Sequence, residues 1–191
     1  LDPRNIQLGA RLISNLEKLY LSLKKLNLTI IDKELYYRES FELGIFQNNN
    51  LKLQNKLFGV ECNFEELNAI DFKKGCFVGQ ENTSRIKLRN KLRRRLLPVK
   101  INEGKIFKGD LIKFDNNEIG RILIDNPYPF AIIKVTDPNI KEFEKEKLTC
   151  GSASIKIHIP DWLISKILHL TSCPLRYLLN SDSSSDQLRS L

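Results

Sequence analysis

The residues best equipped for chemistry stand together at Lys74-Gly75-Cys76-Phe77-Val78-Gly79-Gln80-Glu81, with Arg85 shortly after. The pattern places a thiol between a glycine turn and a helix start expected near Gly79. Free amides at a helix N-terminus and nearby cations favour a thiolate over a thiol. Lys73, Lys74 and Arg85 supply those cations. A cysteine so placed would be a nucleophile, or a soft ligand for a metal or for sulfur. Glu81 and Arg85 are one helical turn apart and can pair along it. The plainer reading of the same residues is a buried structural cysteine in a strand-to-helix turn, because a free Cys is more often buried and inert.

The other candidates are thinner. Cys62, Cys150 and Cys173 have no comparable setting of glycines and cations and read as structural. No two cysteines form a C-x-x-C pair, so a zinc or cluster-ligand set is not expected. With two histidines, His158 and His169, far apart in the chain, a histidine-based metal site or catalytic triad has little support. Trp162, just after Pro160-Asp161, is expected to pack the end of a domain.

The elements that must position Cys76 follow from the patterning. Asp2-Pro3-Arg4 reads as a turn. Residues 6–13 are expected as a strand. Residues 14–26 are expected as a helix, with Leu16, Leu19, Leu23 and Leu26 on one face. Residues 28–31 form a short apolar run. Asp32 is the expected N-cap of a further helix through Leu43, stopped by Gly44. Asn48-Asn49-Asn50 marks a loop, and residues 64–72 a short helical or turn segment leading into the cysteine motif.

From about Leu92 the texture changes. Short apolar runs at 96–101, 106–107, 111–114, 119–124 and 130–135 alternate with turn signals such as Asp115-Asn116-Asn117. This spacing predicts a small antiparallel barrel or sandwich. The period-two run 154–159 would close it, and Pro160 would end that strand. The stretch 181–187 is poor in apolar residues and is expected to be disordered.

The 191 residues carry a formal net charge of +8. Residues 83–113 hold eleven Lys or Arg and two acids, so the rest of the chain nets close to neutral. Such a segment can attract phosphate, nucleic acid or an acidic partner, or can be a solvated basic face. Its most basic stretch, Arg85–Arg95, has no interleaved aromatics to stack bases, so an acidic partner is expected at 83–113 rather than sequence-specific nucleic-acid reading. No run is long and apolar enough to cross a membrane as a helix, and no membrane partner is expected. The start at Leu1 shows no signal peptide and no initiator Met, and reads as the front of a piece beginning mid-protein. Reduced thiols make a cytoplasmic setting the expectation for a bacterial protein, and the mitochondrial matrix stays open for a eukaryotic one, whose transit peptide would precede Leu1.

Residues 74–81 resemble the K-G-C-[FY]-[VI]-G-Q-E signature of the YgfZ family, which includes bacterial folate-binding proteins and mitochondrial iron–sulfur assembly factors related to them. The resemblance continues into Arg85. Upstream, Asp2-Pro3-Arg4 with Leu8-Gly9 and Arg11 resembles the family's D-P-R…L-G-x-R, Gly44-Ile45 its G-I-P, and Glu61 with Asn63 its P-x-E-x-N. Downstream, Arg94-Arg95-Leu96, Gly120 and residues 131–135 resemble its C-terminal barrel. The resemblance implies an α+β fold similar to the glycine-cleavage aminomethyltransferase. On that scheme residues 1–91 are the C-terminal part of a folate-binding domain, 92–163 are a β-barrel domain, and 164–191 are a divergent, partly disordered tail. It implies a non-catalytic, tetrahydrofolate-dependent accessory factor for assembly or repair of 4Fe–4S proteins, indirectly supporting tRNA modification. Iron–sulfur enzymes or other assembly factors would be its partners. Within the motif, Lys74, Gly75, Cys76, Gly79, Gln80, Glu81 and Arg85 are the implied site, with Cys76 the functional thiol and no resident metal.

Two alternatives belong to other classes. A true aminomethyltransferase typically has F-I-G-[KR]-E at this point, without the cysteine. A basic tRNA-binding module would need stacking aromatics near 83–113. One departure from the family concerns folate: an Arg usually stands four residues before the G-I-P glycine, where this chain has Ser40, and Arg38 lies six before Gly44. The folate-binding half is therefore expected to be incomplete here, and tetrahydrofolate to bind this chain weakly or not at all.

Overall fold

The computed structural model describes residues 1–47, 53–75, 77–89, 92–136, 138–143 and 145–164. Cys76, Cys173, His169, the expected loop at Asn48-Asn49-Asn50 and the tail beyond Ile164 lie outside the described residues. The fold is α+β. Its elements are a 3₁₀ turn (Ile6–Leu8), helices α1 (Leu16–Lys25), α2 (Lys33–Glu42), α3 (Glu81–Leu88) and α4 (Ile140–Phe143), and strands β1 (Arg94–Glu103), β2 (Leu111–Phe114), β3 (Asn117–Ile124), β4 (Phe130–Lys134), β5 (Leu148–Cys150) and β6 (Ala153–Ile157).

The six strands close into one antiparallel barrel in the order β1-β4-β3-β2-β5-β6. Alternation builds it. Ile119 and Ile122 of β3 and Ala153, Ile155 and Ile157 of β6 face inward, while Arg121 and Lys156 face out. Each large side chain so buried stabilises the fold by about 1.5–3 kcal/mol. The β2–β3 hairpin turns on Asp115 and Asn116, both at positive φ (46° and 66°), as a two-residue loop matched to strand twist requires. β1 serves two partners. Residues up to Pro98 pair with β4, and residues from Val99 pair with β6. Pro98, which has no N–H to donate, stands where the partner changes.

Two expectations are corrected. Residues 6–13 form no strand. Asn5 accepts from the Gln7 amide and caps a single 3₁₀ turn, which Gly9 ends at φ 79°. Residues 106–107 form no strand either: Ile106 is buried in the barrel core, but the Phe107 amide donates to the Asp110 carboxylate in a turn, leaving the ring outside. β5 and α4 were not foreseen. The helix expected over 14–26 forms as α1, with the Asn15 side chain capping Glu17 and Lys18 amides, yet it buries none of its residues.

α2 docks on the end of the barrel through its C-terminus. Asp32 caps its start, donated to by the Glu34 amide. At the other end the Gly44 amide donates to Phe41 O and the Ile45 amide to Ser40 O, with Gly44 at φ 69°. This is a Schellman stop. A Cβ on Gly44 would overlap the Pro160 ring. The barrel satisfies carbonyls the helix leaves open: Trp162 Nε1 donates to Leu43 O (2.8 Å), and His158 Nε2 lies 3.1 Å from Glu42 O. Phe41 and Phe46 pack edge-on against Phe130. Trp162 thus packs the barrel end, as its place in the sequence suggested.

Candidate functional site

The cysteine motif is held from two sides. On one side a polar knot fixes the front of the chain. Asp2 is buried and accepts from the Arg4 amide and guanidinium and from Arg11 Nε (2.7 Å). Arg4 also donates to Gln47 and Tyr36. The Arg4 guanidinium, above all, holds the Asp2 carboxyl well below the usual carboxylate range, against the opposing effect of burial. Asn68 Nδ2 donates to Pro3 O (2.8 Å), so the knot grips the run of turns over 59–68 that leads into the motif.

On the other side the turn run is stitched to the barrel. Glu61 Oε1 accepts from Arg94 Nε (3.0 Å) and Nη2 (2.8 Å), and its Oε2 accepts from the Phe58 amide. The Leu96 amide donates to Glu61 O, and Asn63 Nδ2 donates to Leu96 O. Glu61 and Asn63 therefore cover the edge of β1 that β4 leaves open. Beneath them Arg95 and Glu66 form an ion pair at 2.7 Å, with side chains 3% and 6% exposed, and Arg95 also donates to Asn63 Oδ1. Glu66 Oε2 and Arg95 Nε are buried there without a hydrogen-bond partner. This seam was visible in the sequence only as scattered motif positions.

Between these anchors the motif forms a loop and a helix start. Lys73 donates its amide to Asp71. The Gln80 amide donates to Phe77 O (2.9 Å), closing a four-residue turn whose third residue, Gly79, has φ 90°. Gly75 has the same φ, with open space where a Cβ would stand, so the backbone conformation alone calls for glycine at both positions. Lys74, Gly75 and Gln80 line a cleft of about 100 Å³, facing Thr83 and Ser84 of α3 and residues 69–72. Lys87 fixes its walls, reaching from α3 to Glu65 (2.7 Å) with its ammonium 5.6 Å from the Phe72 ring. Lys74 Nζ lies 5.5 Å from the Phe77 ring centre. Val78 is fully exposed.

Two details differ from the expected electrostatics. Glu81 forms no ion pair with Arg85. Its carboxyl is held below its ordinary pKa first by its own backbone amide, then by that of Gly79, with Arg85 contributing least. The Glu81 and Gly79 amides therefore favour the Glu81 carboxylate, and Lys73, Lys74 and Arg85 are the cations nearest position 76 in the sequence. Burial, with Glu61 second, pushes the Cys62 thiol up to about 11. Burial, with Asp110 second, does the same for Cys150. Both stay protonated at neutral pH. Among the described residues no cluster of His, Cys, Asp or Glu could hold a metal ion, and no helix is long and apolar enough to cross a membrane.

The basic segment is partly spent inside the molecule. Lys87, Arg94, Arg95 and Lys100 pair with Glu65, Glu61, Glu66 and Glu42. Arg85, Arg89, Arg93, Lys105, Lys108 and Lys113 stay exposed without an ion pair among the described residues.

No family model matches this chain. It is similar to a mitochondrial iron–sulfur cluster assembly factor IBA57 homolog of Neurospora crassa, with 36% identity over 155 residues, 81% of this chain and 32% of the relative. The corresponding protein of Dictyostelium discoideum is 33% identical over 100 residues, 52% of this chain and 24% of the relative. That of Aspergillus oryzae is 38% identical over 61 residues, 32% of this chain and 14% of the relative. The chain spans a third or less of the length of these relatives.

Proposed function

We propose that this chain is part of an accessory factor for the assembly or repair of iron–sulfur proteins, 4Fe–4S proteins in particular, acting through the Cys76 thiol and indirectly supporting tRNA modification. The observation that carries the reading is the likeness to the Neurospora assembly factor across 81% of the chain. The loop geometry adds support. Positive-φ glycines at 75 and 79 bracket position 76 in the chain, and Lys73, Lys74 and Arg85 are the nearest cations to it in the sequence. That setting favours a thiolate, which can attack sulfur or donate an electron pair to iron of a cluster carried as cargo. Cys62 and Cys150, protonated by burial, are poorly suited to either task. The mitochondrial matrix is the proposed compartment, after the relatives' names.

Tetrahydrofolate, which the family resemblance implies, finds no fit on α2. Ser40 is wholly buried, and its hydroxyl donates to Ile45 O (2.8 Å) inside the Schellman stop, so it cannot reach a ligand. Arg38 is exposed and lies 3.8 Å from Glu39. The chemistry proposed here runs through the thiol alone.

The test is complementation of a strain lacking the homologue, using a full-length parent and reading a 4Fe–4S enzyme activity. Cys76→Ser should fail, while Cys62→Ser, Cys150→Ser and Cys173→Ser should rescue. Full rescue by Cys76→Ser would overturn the assignment.

A further inference from the structure

Outside the motif, a hollow of about 520 Å³ lies between α3, the turn run and the barrel wall. A second, of about 300 Å³, adjoins it along the outer face of β3 and β4. Arg94 and Lys134 line both, so the two form one trough with these cations at its middle. Arg93 stands at one end and Arg121 at the other. The floor is apolar, with Ile86 and Leu92 in the first hollow and Leu123 and Ile132 in the second.

The central cations are held in place before any ligand arrives. Arg94 uses Nε and Nη2 on the buried Glu61, leaving Nη1 without a partner among the described residues. Lys134 Nζ donates to the Glu118 carbonyl at 2.8 Å. Glu61, in turn, has both carboxylate oxygens occupied, by Arg94 and by the Phe58 amide. Glu118 comes no nearer than 4.0 Å to Arg121, so Arg121 keeps its hydrogen-bonding capacity. The Arg93 and Arg121 guanidinium groups at the two ends suit carboxylates, whose two oxygens match the planar fork, while Arg94, already paired with Glu61, offers Nη1 alone.

We propose that the trough lined by Arg93, Arg94, Lys134 and Arg121 over an aliphatic floor binds an acidic, aliphatic-bearing peptide segment of a partner protein. Spaced cations over an apolar floor fit an extended chain that alternates carboxylates with aliphatic side chains, since successive residues of such a chain point to opposite sides. Nucleic acid fits less well. Its phosphates would meet the cations, but among the described residues Phe58 is the one ring lining the trough, and single strands are held by successive stacked bases. This surface is distinct from the Cys76 loop, and the proposal stands or falls without the assembly-factor reading.

The experiment uses the 191-residue chain and a short fluorescein-labelled peptide alternating Glu and Leu, followed by fluorescence anisotropy at low and physiological salt. Saturable binding is expected, with a matched Lys–Leu peptide inert. The double variant Arg93→Glu/Arg121→Glu should weaken binding at least about tenfold, as reversing charges at a complementary surface does. Lys105→Glu, on a different loop, should leave it unchanged. Circular dichroism melting reports whether the double variant folds. If it does not, the single variants Arg93→Gln and Arg121→Gln must each weaken binding in the same direction. No binding of the Glu–Leu peptide at low salt would overturn the proposal, as would binding indifferent to these variants. Tighter binding of labelled oligouridylate, lost in the same variants, would reassign the trough to nucleic acid.

Discussion

The barrel and helix α1 show the same kind of pattern with opposite outcomes. In the barrel, Leu97, Ile119, Ile133 and Ile155 are fully shielded from water, and every strand has a neighbour on each side. α1 has an equally regular stripe at Leu16, Leu19, Leu23 and Leu26, yet buries none of it, and Leu16 is 80% exposed. The flanking Leu12, Ile13, Leu28, Ile30 and Ile31 are exposed as well. A closed barrel supplies its own neighbours, because each face that needs covering turns inward on the others. A lone helix has one face and must find a partner. Periodicity reports that a face is suited to burial. Whether the covering element lies within the same residues is a separate matter.

The sharpest way to break this comparison is to truncate one residue on each side. Phe143, from α4, is fully buried in the barrel core, and Phe143→Ala should cost about 3–5 kcal/mol in urea unfolding. Leu16→Ala on α1 should stay within about 0.5 kcal/mol. Equal effects would mean that α1 is packed after all.

The seam between the turn run and the barrel gives the next effect. Arg95→Ala strands the Glu66 carboxylate in a buried site and should cost about 3–5 kcal/mol by the same measurement. The double variant Arg95→Met/Glu66→Leu should recover most of that loss, because no unpaired charge remains. No recovery would show that Asn63, rather than the ion pair, holds the seam.

The smallest effect concerns the Asp2 knot and is read through pH. Its folded carboxyl titrates below the ordinary value of about 3.9, so the Asp2 contribution is fully present above roughly pH 4 and is lost as pH falls through the depressed folded pKa. A carbon-13 titration of the Asp2 carboxyl should show a midpoint below the ordinary range. Arg4→Ala should move that midpoint upward, since the Arg4 guanidinium is the main cause of the shift. An unmoved midpoint would place the cause in Arg11 or the backbone.

How far each part could be read from sequence depended on how local its cause was. The strands β2, β3, β4 and β6 follow apolar runs bounded by turn residues, and the Asp115-Asn116 hairpin was readable because two adjacent residues accept positive φ. The stop of α2 at Gly44 was readable for the same reason. β5 escaped, since three residues of alternating burial leave no periodic trace. The 3₁₀ turn at Ile6–Leu8 escaped because a side-chain cap at Asn5 outweighed the apolar pattern. In the motif, the glycine turn and the helix start near Gly79 were legible. The engagement of Glu81 with the backbone was not, because an acid four residues before an arginine on a helix reads equally well as a side-chain pair.

By itself the sequence determined the α+β class, the barrel region, the start and stop of α2 and the thiol motif at 74–81. Each of these depends on residue types within a few positions of one another. Only the tertiary structure decided which members of the basic segment remain available, since the acids that neutralise Lys87, Arg94, Arg95 and Lys100 lie 22 to 58 residues away in the chain. It also decided that Trp162 and His158 would cap the C-terminus of α2, and that Arg93, Arg94, Lys134 and Arg121 would share one trough. Charge and polarity act through space, and spacing in space is set by strand closure rather than by spacing in sequence.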